Sequence, residues 1–111
     1  MGSVEDFAIS ERNKKLILDF IDYCYSEGLG EHRILKYITT LKYIAQSLQA
    51  EFEKATERDI RRYVSILERS SKSQWTKHDY KVVLKRFYRW LNGGEEPSIV
   101  KWVNTSLKDR N

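Results

Sequence analysis

Apolar residues recur at helical spacing in four stretches of the chain. Within each stretch they lie three or four residues apart, which places them on one face of an α-helix. The spacing predicts helices from Ser10 to about Glu27, from about Glu31 to Gln49, from Thr56 to about Arg69 and from Ser73 to Leu91. The side chains predicted to face inward are Ile17, Phe20, Ile21, Cys24, Ile34, Tyr37, Ile38, Leu41, Ile44, Leu48, Ile60, Tyr63, Val64, Leu67, Trp75, Tyr80, Val83, Leu84, Phe87 and Leu91.

Polar residues and glycines mark the ends of these helices. Ser10 (with Asn13 as the rival), Thr56 and Ser73 are suited to cap N-termini through a side-chain oxygen. Gly28-Leu29-Gly30 and Asn92-Gly93-Gly94 are typical of helix C-termini. No stretch alternates like a strand, so we expect an all-α fold, a compact bundle of about four helices.

Two of the helices share one sequence pattern. The copies are Tyr37-x-x-x-Leu41-Lys42-x-Ile44-x-x-x-Leu48 and Tyr80-x-x-x-Leu84-Lys85-x-Phe87-x-x-x-Leu91. Each places a Lys beside a buried stripe. Chance similarity between two ordinary amphipathic helices is the alternative explanation.

Composition narrows the class of protein. With 111 residues, 41% of them hydrophobic and 13% aromatic, the chain can form one domain with a real core. A net charge of +4 permits nucleic-acid binding without requiring it. Cys24 is the single cysteine and no apolar run could span a membrane, so we expect a cytoplasmic protein without membrane partners.

Residue patterns typical of catalysis are missing. His32 and His78 have no second His or Cys at metal-ligand spacing, and Cys24 lies on an apolar helix face. Gly93-Gly94 lacks the Lys-Ser/Thr of a phosphate loop. We therefore expect no metal, no cofactor and no enzymatic activity from this chain by itself.

Basic residues repeat every fourth position along the fourth helix. Lys77, Lys81, Lys85 and Arg89 form this basic ladder, with Lys72 and Arg86 nearby. Neighbouring like charges repel by a few tenths of a kcal/mol per pair, so a helix selected only for stability would interleave Glu. The ladder thus favours a phosphate-rich partner, and an ordinary solvated Lys face is the alternative.

Two further groups of polar residues extend this candidate surface. At the start of the fourth helix, Ser73, Gln74 and Thr76 accompany free backbone N–H groups, which attract phosphate, and simple capping is the alternative. Trp75 is expected in the core, and the alternative is that its indole N–H reaches a phosphate. The second helix has a thinner set: Arg33, Lys36 and Thr40 are expected with Tyr43 on one outward face, and Lys42 flanks the buried stripe.

Over residues 10–92 the chain resembles the N-terminal core-binding domain of tyrosine recombinases (phage-type integrases), archaeal ones in particular. The resemblance rests on Tyr37-x-x-x-Leu41-Lys42, on Ala55-Thr56-x-x-Asp59-Ile60-x-x-Tyr63-Val64-x-x-Leu67, and on Ser73-x-x-Thr76 leading to Leu84-Lys85-Arg86-Phe87-Tyr88-x-Trp90-Leu91. It implies a SAM-like helical domain whose second and fourth helices approach duplex DNA.

The resemblance also implies how the chain would be organised. Residues 1–9 would be a flexible lead-in, residues 10–92 the core-binding domain, and residues 93–111 a linker toward a C-terminal catalytic domain. Trp102 in this linker would dock back onto the bundle or onto the catalytic domain. That domain would cleave DNA through a covalent phosphotyrosine intermediate without metal or nucleotide. The ladder would contact phosphates, and Thr40, Gln74 and His78 would reach base edges. Other recombinase protomers on the DNA would be further partners.

Two other hypotheses stay open at this point. A helical protein-interaction module would show an exposed apolar patch, whereas a DNA clamp would gather basic residues on one side. The second hypothesis is that the chain is a regulatory DNA-binding protein without a recombinase parent. A gene that also encodes a downstream domain with Arg, His and Tyr catalytic residues would exclude this second hypothesis.

Overall fold

The computed structural model describes residues 9–105 of the chain. Its elements are α1 (Glu11–Ser26), α2 (Glu31–Leu48), a 3₁₀ turn (Phe52–Lys54), α3 (Glu57–Arg69), α4 (Gln74–Leu91) and α5 (Ser98–Lys101). The described part contains no strand, and four of its helices are long, so the predicted all-α bundle class is confirmed. Within the described residues no helix is long and apolar enough to cross a bilayer.

The predicted helix ends agree with the structure to within one residue. The Ser10 and Ser73 hydroxyls accept hydrogen bonds from the backbone N–H groups of Asn13 and Thr76. Thr56 and Asp59 form a reciprocal capping box at the start of α3. These local bonds satisfy N–H groups that lack partners within the helix, which is why the caps were predictable from sequence.

The chain divides into two compact units, residues 1–55 and 56–111. In the first unit α1 packs against α2, and the rings of Phe20 and Tyr37 stack with centroids 6.0 Å apart. The 3₁₀ turn then inserts Phe52, which is fully buried. Asn13 is buried beside it: its Oδ1 accepts from the Phe52 N–H (2.9 Å) and its Nδ2 donates to the Ala50 carbonyl (3.0 Å). The core of the first unit is therefore completed by the apolar Phe52 and the neutral polar Asn13.

In the second unit α5 packs against both α3 and α4. Val100 and Val103 are buried, and Arg61 lies over the Trp102 ring at 4.1 Å from its centroid. Residues 98–103 thus form part of this unit, although we expected them in a linker. The connection of residues 93–111 to a further domain stays a prediction.

Several burial predictions need correction. Trp75, expected in the core, is 70% exposed: it lies two residues before the buried Lys77, which places it on the opposite side of α4. Ile38, Val64, Tyr80 and Leu91 are only partly buried. The other side chains predicted to face inward are buried, as is Ile9. Residues 1–8 and 106–111, the rest of the lead-in and the end of the predicted linker, lie outside the described residues.

Candidate nucleic-acid interface

The basic ladder of α4 is largely engaged within the protein. Lys77 is 7% exposed and its Nζ donates to the Glu68 carbonyl at 2.7 Å. Lys81 is 3% exposed, and its Nζ donates to the Glu68 carboxylate on α3. A buried ammonium needs such partners, because desolvation otherwise penalises the charge. The expectation that Lys77 and Lys81 lie on an open basic face is therefore wrong.

Lys85 joins α4 to residues 96–105, the C-terminal segment of the second unit. Its Nζ donates to the Val103 carbonyl at 2.9 Å and lies 3.8 Å from a Glu96 carboxylate oxygen. The side chain is only 18% exposed. Lys85 therefore fastens residues 96–103 to α4 and has limited capacity to bind an external anion.

Arg86 and Arg89 are the basic residues of α4 that remain available. Neither has an ion-pair partner within residues 9–105. Arg89 is exposed and Arg86 is half-buried. Together with Lys85 they line a shallow pocket of ≈ 200 Å³ between α4 and the C-terminal segment. Arg86 was noted only as a neighbour of the ladder, since its position falls outside the four-residue repeat.

The residues at the start of α4 serve first as its cap. Ser73 Oγ accepts from the Thr76 N–H at 3.1 Å and also donates to Thr76 Oγ1. Lys72 Nζ lies 5.3 Å from the Tyr80 ring centroid, a cation–π distance. Gln74 is exposed beside Trp75. Contact of these side chains with DNA stays a prediction.

The predicted residues of α2 differ in accessibility. Thr40 is 3% exposed and its hydroxyl donates to the Lys36 carbonyl, so its placement on an outward face is wrong. Arg33 is exposed and donates to the Tyr37 hydroxyl at 3.2 Å. Lys36 is exposed and Lys42 half-buried. Three of the four residues thus stay candidates.

The two units carry opposite net charges. Residues 1–55 contain 7 Lys and Arg against 9 Asp and Glu, a formal charge of −2. Residues 56–111 contain 13 against 7, a formal charge of +6. The excess of positive charge therefore belongs entirely to the unit that contains α4. An anionic partner would be attracted to this unit.

Burial and hydrogen bonding shift the pKa of several groups, among them Tyr88, Glu53 and Asp59. Burial, followed by the nearby Asp59 charge, raises the pKa of the Tyr88 hydroxyl, which stays protonated. The Arg12 guanidinium lowers the pKa of Glu53 through a hydrogen bond of 2.7 Å. A hydrogen bond from the Thr56 backbone N–H lowers the pKa of Asp59. The two carboxylates stabilise local structure.

No cluster of metal-ligating side chains occurs among the described residues. The polar groups brought together in the pocket of the second unit are instead two guanidinium groups, a lysine, one hydroxyl and one carboxylate, and the excess of cations suits an anion. Comparison of this chain with protein-family models, with curated proteins and with solved structures found no match.

Proposed function

We propose that this chain is a helical DNA-binding domain of the tyrosine-recombinase type, and that its second unit contacts the phosphates of duplex DNA. In this proposal the chain holds DNA and a separate catalytic domain performs strand cleavage and rejoining. The domain itself uses no cofactor. The sequence resemblance supplies the recombinase part of the proposal.

The observation that best supports DNA contact is the pair Arg86 and Arg89. Within residues 9–105 neither has an ion-pair partner, and both belong to the unit whose formal charge is +6. Unpaired guanidinium groups bind phosphate through paired N–H donors, and they do not lose their charge near neutral pH. The buried lysines of α4 cannot supply these contacts without disrupting α3–α4 packing.

A salt-dependent DNA titration tests the proposal. The full 111-residue chain is titrated onto labelled duplex DNA at several low salt concentrations, as wild type and as Arg86→Gln/Arg89→Gln. Each phosphate contact contributes about 0.9 to the slope of log K against log salt, so the double variant should lower this slope by up to about 1.8.

The matched control removes the same charge elsewhere on the second unit. Arg58→Gln/Arg69→Gln alters two exposed arginines of α3. We expect it to retain most of the wild-type slope. Equal losses in the two double variants would show that binding reflects general charge and not α4, and absence of binding at the lowest salt would refute the DNA proposal.

Exposed apolar side chains favour a second candidate function, protein interaction. Leu18 is 52% exposed on α1 and Leu35 58% exposed on α2. Both belong to the unit without excess positive charge. If DNA binding fails, changing these leucines to Ser should weaken self-association or partner binding while leaving thermal stability nearly unchanged.

A further inference from the structure

A shallow pocket of ≈ 200 Å³ combines basic side chains of α4 with residues of the C-terminal segment. Its position is set by the bond from Lys85 to the Val103 carbonyl, which holds the segment on α4. The pocket is built within the second unit alone. Its lining residues are Val82, Lys85, Arg86, Arg89, Glu96 and Thr105.

Three cations and one carboxylate line this pocket. Glu96 is 3.8 Å from Lys85, a loose ion pair, and its side chain is 26% exposed. Arg86 and Arg89 have no carboxylate partner within residues 9–105. The lining therefore keeps a formal excess of two positive charges around a single internal anion.

We propose that this pocket binds a phosphate group, and that the negative charge of the Glu96 carboxylate, which lies near Lys85, weakens this binding. The guanidinium groups of Arg86 and Arg89 would donate to the phosphate oxygens, and the Thr105 hydroxyl supplies a further donor. Val82 forms an apolar wall. The inference deepens the proposed function and rests on it for one source of phosphate, the DNA backbone. A small phosphorylated compound is the other source.

Glu96 sets how strongly the pocket attracts phosphate. Its negative charge repels a second anion in the same pocket, and a unit charge about 4 Å away in a water-accessible site changes affinity by about fivefold. Neutralising Glu96 should therefore tighten phosphate binding about fivefold. Lys85 keeps its bond to the Val103 carbonyl in that variant, so the segment stays in place.

Glu95 provides a matched control. It is the adjacent residue, it is exposed, and it does not line the pocket. Its structural contact uses the backbone carbonyl, which accepts from Asn92 Nδ2 and is unaffected by a side-chain change. Glu95→Gln and Glu96→Gln thus alter net charge equally, but only Glu96→Gln removes the carboxylate that lines the pocket and lies near Lys85.

The first arm of the experiment titrates inorganic phosphate at constant ionic strength. The readout is the NMR signal of each arginine Nε–H in the full chain. We expect saturable shifts at Arg86 and Arg89, with half-saturation about fivefold lower in Glu96→Gln than in wild type or Glu95→Gln. Non-saturating shifts, shifts of equal size at Arg58, or equal behaviour of the two Glu variants would overturn the pocket.

The second arm repeats the comparison with duplex DNA and separates the two sources of phosphate. Tighter DNA binding by Glu96→Gln than by Glu95→Gln, together with the phosphate result, identifies the DNA backbone as the source. A pocket that binds phosphate while the chain fails to bind DNA supports the site and refutes the proposed function. Tighter DNA binding without saturable phosphate binding overturns the site.

Discussion

The two units of this chain complete their packing with different chemistry. The first unit, with formal charge −2, inserts Phe52 and satisfies the neighbouring backbone with the neutral amide of Asn13. The second unit, with formal charge +6, uses buried lysines: Lys77 and Lys81 bind Glu68. Some cations of the basic unit are therefore structural, and net charge alone overstates what an external ligand can contact.

The difference also decides which residues are useful to test. Reversing the charge of Lys77 or Lys81 would disturb the contact between α3 and α4, so a loss of DNA binding would not distinguish contact from misfolding. Arg86 and Arg89 can be changed without breaking an ion pair within residues 9–105. Arg86 and Arg89 therefore provide the clearer test of whether α4 contacts DNA.

The largest expected effect lies in the first unit. Phe52→Ala removes a fully buried ring beside Asn13 and should lower the free energy of unfolding by about 3–5 kcal/mol. Urea unfolding followed by circular dichroism measures the loss. Leu35→Ala, at a side chain 58% exposed, is the control and should change stability by less than about 0.5 kcal/mol. Similar values for both would mean that the 3₁₀ turn does not complete the core.

A smaller effect is expected where the second unit relies on charge. Glu68→Gln leaves the Lys81 ammonium, whose side chain is 4% exposed, without its carboxylate. Because Glu68 itself is 36% exposed and water can partly compensate, we expect a loss of about 2 kcal/mol in the free energy of unfolding.

The control for this change lies on the same helix. Glu57 pairs with Arg61 at 2.8 Å on an exposed face of α3, and Glu57→Gln should cost no more than about 0.5 kcal/mol. If the two Gln variants unfold at the same urea concentration, the Lys81 pair is not structural. The second unit would then not rely on a buried lysine for its packing, and the contrast with the first unit would be wrong.

The smallest effect is a dependence on acid pH in each unit. Glu53 and Asp59 have a pKa lowered from the ordinary values of 4.5 and 3.8 by hydrogen bonds from Arg12 and from the Thr56 N–H. A carboxylate whose pKa is lower in the folded state contributes stability above its unfolded pKa. It loses this contribution as pH falls through the folded pKa.

Melting temperatures measured from neutral to strongly acid pH test this expectation. Glu53→Gln and Asp59→Asn should melt below wild type at neutral pH, and the difference should shrink below about pH 4. Asp22→Asn, at an exposed carboxylate of α1, is the control. A difference that stays constant with pH would mean that the two carboxylates do not contribute through their charge.

The helices could be predicted from sequence because local signals determine them. Ser10, Thr56 and Ser73 bond to N–H groups three residues away, so their role does not depend on distant residues. The short helix α5 was missed, although Pro97 directly before it is a signal for a helix start. A four-residue helix has too few turns for periodicity to identify it.

The sequence by itself determined the all-α class, the four long helices and most of the core. These follow from apolar spacing and caps that act within a few residues. Only the tertiary structure decided which cations of α4 can contact an external ligand. The partner of Lys81 lies 13 residues away on α3, and the carbonyl bound by Lys85 lies 18 residues away. A four-residue repeat places lysines on one helix face, but only packing decides whether that face is covered.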